Sequence, residues 1–328
     1  MVRFGLLGAG RIGKLHGGNI AASAKAKLVA VADIDMKAAD ALAKTHGAEA
    51  RSPDDIIAAK DIDAVLIGTS TDTHADYIET AVRAGKAVFC EKPVDLDSKR
   101  IEACLKVVDA AKKPLMIGFN RRFDPNFAAL KKRLDAGAVG QVEMVTVISR
   151  DPGPPPVSYI ERSGGLYRDM MIHDFDIARF LLGEEAVVIH AVGSVLVDPG
   201  IGKAGDVDTA MVMMRTASGK LCQISCSRRA SYGYDQRIEV HGSAGMLRAG
   251  NIHETTVEVA TKAGFATDPV LNFFLERYAQ AYRDELAAFI DAIETGKPTS
   301  PSGYDGLMAQ RLADAATESW KSGQPVKL

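Results

Sequence analysis

The chain of 328 residues lacks most of the marks of specialised protein classes. Its four cysteines, Cys90, Cys104, Cys222 and Cys226, form no CxxC pair and sit among apolar neighbours, which argues against a disulfide scaffold or a zinc ribbon and fits reduced core thiols. No apolar run approaches the roughly 20 residues that span a bilayer. Met1-Val2-Arg3 runs directly into strand-like Phe4-Gly5-Leu6-Leu7 and leaves no room for a signal peptide, so the expected compartment is the cytoplasm. Basic tracts are missing and the formal net charge is −2, so the footprint of a nucleic-acid binder is absent and a small molecule is the expected partner. There is no internal repeat and no low-complexity stretch.

What remains is an ordinary globular composition, 47% hydrophobic and 25% charged, at about twice the usual single-domain length. Two domains are expected, 1–121 and 122–328. In the first, short β-branched runs at 2–7, 27–33, 63–67, 87–90 and 115–118 alternate with helical patterns at 36–45, 73–84 and 98–111. Ser52-Pro53-Asp54-Asp55 supplies an N-cap, a proline at the first helical position and acid in the first turn. Strand and helix in alternation predict a doubly wound parallel sheet covered on both faces. After a further helix start at Asp124-Pro125 the rhythm changes. Longer alternating strands at 141–150, 187–197, 209–216, 220–227 and 237–241 predict an α+β domain with a large, mostly antiparallel open sheet. Asp151-Pro152-Gly153-Pro154-Pro155-Pro156 reads as a stiff loop, 198–206 as a glycine-rich connection, and 272–294 and 304–320 as helices.

Gly8-Ala9-Gly10-Arg11-Ile12-Gly13 follows the first strand and opens a helix, which is where a Rossmann fold binds a dinucleotide. The first glycine permits the turn, the second lets a pyrophosphate approach backbone, and the third lets helix and strand pack closely. Asp33 ends the second strand, where a carboxylate accepts from an adenosine ribose and repels a 2′-phosphate, so the expected cofactor is NAD. The polar loop Gly68-Thr69-Ser70-Thr71-Asp72-Thr73-His74 lies at the carboxyl edge of the sheet, where ligands of open α/β folds bind; Thr69, Ser70, Thr71 and His74 are its candidates, beside Arg11 and Ile12. Cys90-Glu91-Lys92-Pro93 leaves a buried strand at the same edge, and Lys92 reads either as functional or as an exposed lysine at a strand end.

The segment from Gly164 to Gly183 reads as a loop entering one helix. On it Asp169 and His173 are one turn apart and Asp176 continues the stripe, an arrangement that suits a general base held by a carboxylate. Metal ligation by Asp169, His173 and Asp176, and a purely structural His173, stand beside it as alternatives; no second histidine or cysteine cluster completes a coordination shell, and the expected metal content is none.

These residues resemble the glucose-fructose oxidoreductase, inositol dehydrogenase and rhizopine-catabolism superfamily, and most closely its inositol 2-dehydrogenase type. The resemblance covers nearly the whole chain. It rests on Gly8 to Gly13, Glu91-Lys92-Pro93, Gly118-Phe119-Asn120-Arg121-Arg122-Phe123-Asp124-Pro125, Ser149-Arg150-Asp151-Pro152, and Ser163-Gly164-Gly165 with Asp169-Met170-Met171-Ile172-His173-Asp174-Phe175-Asp176. The resemblance implies NAD-dependent oxidation of myo-inositol to 2-keto-myo-inositol, with Lys92, Asp169 and His173 as a catalytic triad and a cis Lys92–Pro93 bond. It places Glu91 and Asn120 on the nicotinamide side and Arg122 and Tyr234 (with Tyr232 as the alternative) on the substrate, in a homotetramer; Asp151 is a further substrate-binding candidate, near a substrate-facing position where related enzymes vary. Ser70 departs from the proline frequent in the family. Scyllo-inositol, chiro-inositol or glucose as substrate, and a non-enzymatic NAD sensor on the same fold, remain open at the level of sequence.

Overall fold

The structure, a computed structural model, describes residues 1–328. The chain divides into two compact units, Met1–Asn120 with Tyr282–Gln310, and Arg121–Ala281 with Arg311–Leu328. No helix is long and apolar enough to cross a membrane.

The first unit carries strands β1 (Val2–Leu7), β2 (Ala26–Ala32), β3 (Glu49–Ala50), β4 (Ala64–Ile67), β5 (Ala87–Glu91) and β6 (Leu115–Gly118). Between them run α1 (Arg11–Ala22), α2 (Met36–Thr45), α3 (Pro53–Ala58), α4 (His74–Arg83) and α5 (Ser98–Ala111). All pairings are parallel, in the order β3-β2-β1-β4-β5-β6, so the chain order reverses beside β1 and opens a crevice at the carboxyl ends of the strands. Leu6, Leu7, Val65, Leu66, Val88 and Phe89 are wholly buried because both faces of the sheet are covered. The helix starts obey local chemistry: Ser52 caps α3 through Asp55 N–H with Pro53 in its first turn, and Asp35 and Asp97 cap α2 and α5. Strand β3 is absent from the sequence reading, since two residues carry no periodicity.

The second unit begins with α6 (Pro125–Asp135), β7 (Val142–Arg150), α7 (Val157–Ser163), α8 (Gly165–Asp169) and α9 (Ile172–Leu182). Next come β8 (Ala186–Ser194), α10 (Pro199–Lys203), β9 (Thr209–Thr216), β10 (Leu221–Ser227), β11 (Asp235–Gly242) and β12 (Gly245–Ala249). An exposed hairpin of β13 (Glu258–Thr261) and β14 (Gly264–Thr267) precedes α11 (Phe274–Arg277), α12 (Ala279–Thr295), α13 (Gly303–Ser322) and β15 (Val326–Lys327). Seven strands form one sheet in the order β12-β11-β7-β10-β9-β8-β15, antiparallel except where β7 and β10 run parallel. Alternation is strict: on β9, Ala210, Val212 and Met214 are buried, while Met211 and Met213 face out.

Several sequence expectations change. The helix expected through Asp169 and His173 is two helices, because Met170 and Met171 N–H both bond Leu166 O and the second bond closes a wider turn. The 198–206 connection holds α10, capped by Asp198 with Pro199 in its first turn. The helical stretch expected at 272–294 splits between α11 and α12. Residues Tyr282–Gln310, read from sequence as part of 122–328, belong to the first unit, where Phe289 packs its ring 6.2 Å from Phe4 and 5.7 Å from Phe89. Helical periodicity identifies a buried face but not the sheet that buries it.

Asp124 does two jobs in the second unit. Its carboxylate caps α6 by accepting from Asn126 and Phe127 N–H at 3.1 Å each, and it pairs with fully buried Arg277. Asp124→Ala leaves a buried guanidinium without its charge partner and is expected to destabilise by about 3–5 kcal/mol, measured by urea unfolding. A loss below about 1 kcal/mol, the size of a helix cap alone, would show that the pair contributes nothing.

Candidate active site

In the first unit, the turn from β1 into α1 is shaped by close approach. Gly8 has φ +103°, and a Cβ there would overlap the Gly68 carbonyl; a Cβ on Gly13 would overlap the Gly8 carbonyl. Gly10, by contrast, faces open space, with nothing within 4 Å of a Cβ placed there. It stands at the N-cap of α1, which has no side-chain cap and no acid in its first turn, so the positive end of the helix is left for an anion. Asp33 lies directly past β2 and accepts from Ala9 N–H at 2.6 Å and Asp35 N–H at 2.8 Å, which fixes it beside that turn. These features fit a dinucleotide: a cradle without side chains, free helix N–H groups and a ribose-seeking carboxylate at the end of the second strand. Arg11 is exposed and Ile12 half-buried.

The loop past β4 is partly braced on itself. The Thr69 hydroxyl meets the Thr73 hydroxyl at 2.7 Å, while Ser70 is exposed and Thr71 half-buried. His74 is buried, with Nδ1 2.7 Å from Pro93 O and Nε2 3.1 Å from Thr69 O. Burial holds its pKa below the usual histidine value, so the neutral ring donates from Nδ1 over the shorter distance. With both nitrogens turned to backbone, His74 ties this loop to the Lys92-Pro93 turn; the ligand role read from its loop position gives way to a brace. The Lys92–Pro93 bond is cis, Lys92 is half-buried and Glu91 is buried. Asn120 is 2% exposed and its Oδ1 has no hydrogen-bond partner, an acceptor waiting for a donor.

In the second unit, Asp169 ends α8 and His173 opens α9. Asp169 accepts from the Tyr159 hydroxyl at 2.9 Å and from Arg228 at 3.5 Å. Arg228 is 1% exposed. Neither Tyr159 nor Arg228 is legible as a site residue in the sequence: Tyr159 lies on a seven-residue helix behind a proline loop, and Arg228 reads as one of two arginines ending a strand. Asp151, past the end of β7, has its carboxyl pushed up to about 6 by burial and by the Asp169 charge, against the opposing pull of Arg228. Asp206 accepts from Leu166 N–H at 2.9 Å and occupies the space a Cβ on Gly165 would take, so Gly165 is required where α8 begins.

The remaining candidates are held differently from expectation. Asp176 is turned to Arg122, accepting from Nε at 2.8 Å and Nη2 at 2.5 Å, so the proposed ligand stripe of Asp169, His173 and Asp176 is spent on an ion pair at its third member. Arg122 is 8% exposed and also lies over the Phe180 ring at 4.7 Å; in this structure it grips α9, and the polyol contact implied by resemblance would have to be made by what this pairing leaves. Tyr234 is buried edge-on to Tyr278, ring centroids 5.9 Å apart, whereas the Tyr232 hydroxyl is committed to Asp235 at 2.6 Å and Arg150 at 2.9 Å.

The fold and the glycine cradle define a dinucleotide-binding oxidoreductase, and the chain belongs to the Gfo/Idh/MocA oxidoreductase family: residues 2–119 match its NAD-binding Rossmann fold and residues 131–328 its C-terminal alpha/beta domain. The chain is similar to the inositol 2-dehydrogenase of Rhizobium meliloti, with 59% identity over 318 residues, 97% of this chain and 96% of that one. Among solved structures it is similar to a myo-inositol dehydrogenase from Corynebacterium glutamicum, at 46% identity and TM-score 0.96, covering 100% of this chain and 99% of that one. It also resembles the myo-inositol dehydrogenase from Lactobacillus casei in complex with NAD(H) and myo-inositol, at 27% identity and TM-score 0.90, covering 100% and 97%.

An acid whose folded value lies above its unfolded one binds more protons when folded, so the stability Asp151 contributes falls as pH rises from about 4 to about 6. Arg228→Met removes the group that pulls this value down. The decline should then continue above pH 6, read as thermal midpoints from pH 4 to 8 relative to the parent. Parallel curves would show that Arg228 does not act on Asp151.

Proposed function

We propose that this chain is an NAD-dependent inositol 2-dehydrogenase that oxidises myo-inositol to 2-keto-myo-inositol. The observation that carries the reading is the near full-length similarity to an inositol 2-dehydrogenase at 59% identity. The fit of the glycine turn and of Asp33 to NAD supports it.

The residues divide the chemistry as follows. Gly8, Gly10 and Gly13, with the N–H groups opening α1, hold the pyrophosphate; Asp33 takes the adenosine ribose, and Glu91 and Asn120 meet the nicotinamide side. Bound NAD supplies the hydride acceptor. His173 removes the hydroxyl proton of the substrate, and Asp169 orients the imidazole and stabilises its charged form. Lys92 donates to the same oxygen as negative charge develops on it, and the carbon's hydride leaves to give the ketone. Asp169 is itself steadied by Tyr159 and Arg228. Asp151, Tyr234 and Arg122 are assigned to the substrate's other hydroxyls. Four free, buried cysteines suit the reducing cytoplasm, where we place the reaction.

Incubation with NAD and myo-inositol should produce NADH absorbance, with NADP markedly poorer because Asp33 repels the 2′-phosphate. Lys92→Met and His173→Ala should each lower turnover by about 10² to 10⁴ with NAD affinity retained. No NADH from myo-inositol alongside turnover of another polyol would reassign the substrate, and full turnover in His173→Ala would remove the base.

The outer face of the second sheet suggests a homotetramer. Val192, Met211, Met213, Leu221, Met144 and Met246 are all between 42% and 61% exposed. Register puts Val192 against Met211 and Met144 against Leu221, so exposed apolar side chains meet across strands on this face, as on surfaces that bury against another subunit. Met213→Lys should lower the mass measured by light scattering, and a parent protein of single-chain mass would remove the assembly.

A further inference from the structure

The inner face of the second unit's sheet turns polar where β7 ends and β11 begins. Along these strands Val240 pairs in register with Val145, and Ile238 with Val147, all apolar and at most 2% exposed. The next inward pair is Gln236 with Ser149, 1% and 0% exposed. Tyr234 stands two residues before Gln236 and Asp151 two residues after Ser149, so the polar pair lies directly inside the rim that carries both. This pair belongs to a chain of hydrogen bonds whose sense is fixed at every link. Arg121, paired with Asp174 of α9, can only donate, and its Nη2 reaches the Ser149 hydroxyl oxygen at 3.1 Å. Gln236 Nε2 donates to the same oxygen at 3.2 Å, which turns the amide carbonyl to Tyr278, whose hydroxyl donates to Oε1 at 3.3 Å. Tyr278, itself 2% exposed, meets Tyr234 edge-on with ring planes at 90° and centroids 5.9 Å apart. The Gln236 backbone is pinned too, its N–H donating to Asn251 Oδ1 at 2.7 Å.

We propose that Gln236 is a positioning residue: through the Tyr278 hydroxyl it sets the ring against which Tyr234 lies, and through Ser149 it ties that ring to the arginine that grips α9. The inference rests on the dehydrogenase reading for the tasks of Tyr234 and of His173, the residue before Asp174. Stability alone does not call for such a chain, since replacing both partners of a buried hydrogen bond by apolar groups of the same shape can be nearly neutral. What apolar side chains here would not supply is direction. A leucine at 236 packs against the Tyr278 ring without fixing where its hydroxyl points, whereas a fully satisfied polar network admits one arrangement. Burial pushes the Tyr278 phenol up to about 12, so it stays a donor through the neutral range. The residues assigned to NAD all lie in the first unit, and Tyr234 is assigned to a hydroxyl other than the reacting one. Loosening the chain therefore weakens the hold on the polyol before it touches cofactor or chemistry.

The test uses the full-length protein with Gln236→Met, which keeps the length of the side chain and loses both of its bonds, and Tyr278→Phe, which keeps the ring and removes one oxygen. Each should raise the KM for myo-inositol by about five- to tenfold, the worth of one hydrogen bond, and leave the KM for NAD within about twofold. The double variant should be no worse than the worse single one, because both changes break the same link. A parental KM for myo-inositol in either single variant, effects that multiply in the double variant, or an equal rise in the KM for NAD would each overturn the proposal. If Gln236→Met does not fold, Tyr278→Phe carries the same prediction for both KM values. A second measurement needs no substrate: the change that Gln236→Met makes in the tyrosine band of the near-ultraviolet circular dichroism should disappear when both proteins also carry Tyr278→Phe. A change of the same size in that background would overturn the link. Absence of turnover in the parent would count against the dehydrogenase reading and leave the dichroism to decide the chain separately.

Discussion

Two adjacent arginines gripping one helix form the constraint on which the second unit's chemistry depends. Arg121 pairs with Asp174 and Arg122 with Asp176, all four side chains at most 8% exposed. Asp174 and Asp176 are two residues apart, roughly 200° around a helix, so α9 is held from two sides at once. A buried ion pair offsets its desolvation only when the geometry is good, which makes any rotation or slide of α9 expensive. His173 stands in the first turn of that helix. Its orientation is therefore set by ion pairs made further along the helix that carries it.

The first unit solves a different problem, bringing bare backbone close to a polyanion. The Gly8 and Gly13 positions tolerate no side chain, Gly10 has open space in front of it, and the helix behind them begins uncapped and without acid. His74 then joins the loop past β4 to the turn past β5 through its hydrogen bond to Pro93 O. The placement follows from the parallel sheet, which sends every strand's carboxyl end to the same edge.

Much of this was legible because it is local. The glycine spacing, the acid ending β2, the cap at Ser52 and the alternation along β9 are written in neighbouring residues, and the folded chain shows each in place. The break between Asp169 and His173 was not, since apolar and polar residues follow a helical pattern straight through Met170 and Met171 while the backbone takes a wider turn. Nor was the return of Tyr282–Gln310 to the first unit, because an amphipathic helix announces a buried face without naming its cover.

The sequence by itself determined the two sheet types, the dinucleotide turn and the family to which the chain belongs, for these rest on periodicities and spacings of a few residues. Only the tertiary structure decided which charges are partners. Arg228 and Asp169 are separated by 59 residues, Arg277 and Asp124 by 153, and His16 and Glu91 by 75. In one dimension each is a polar residue with a plausible place on the surface. Burial in a common low-dielectric interior is what obliges them to pair, and no local pattern encodes which residues will share that interior.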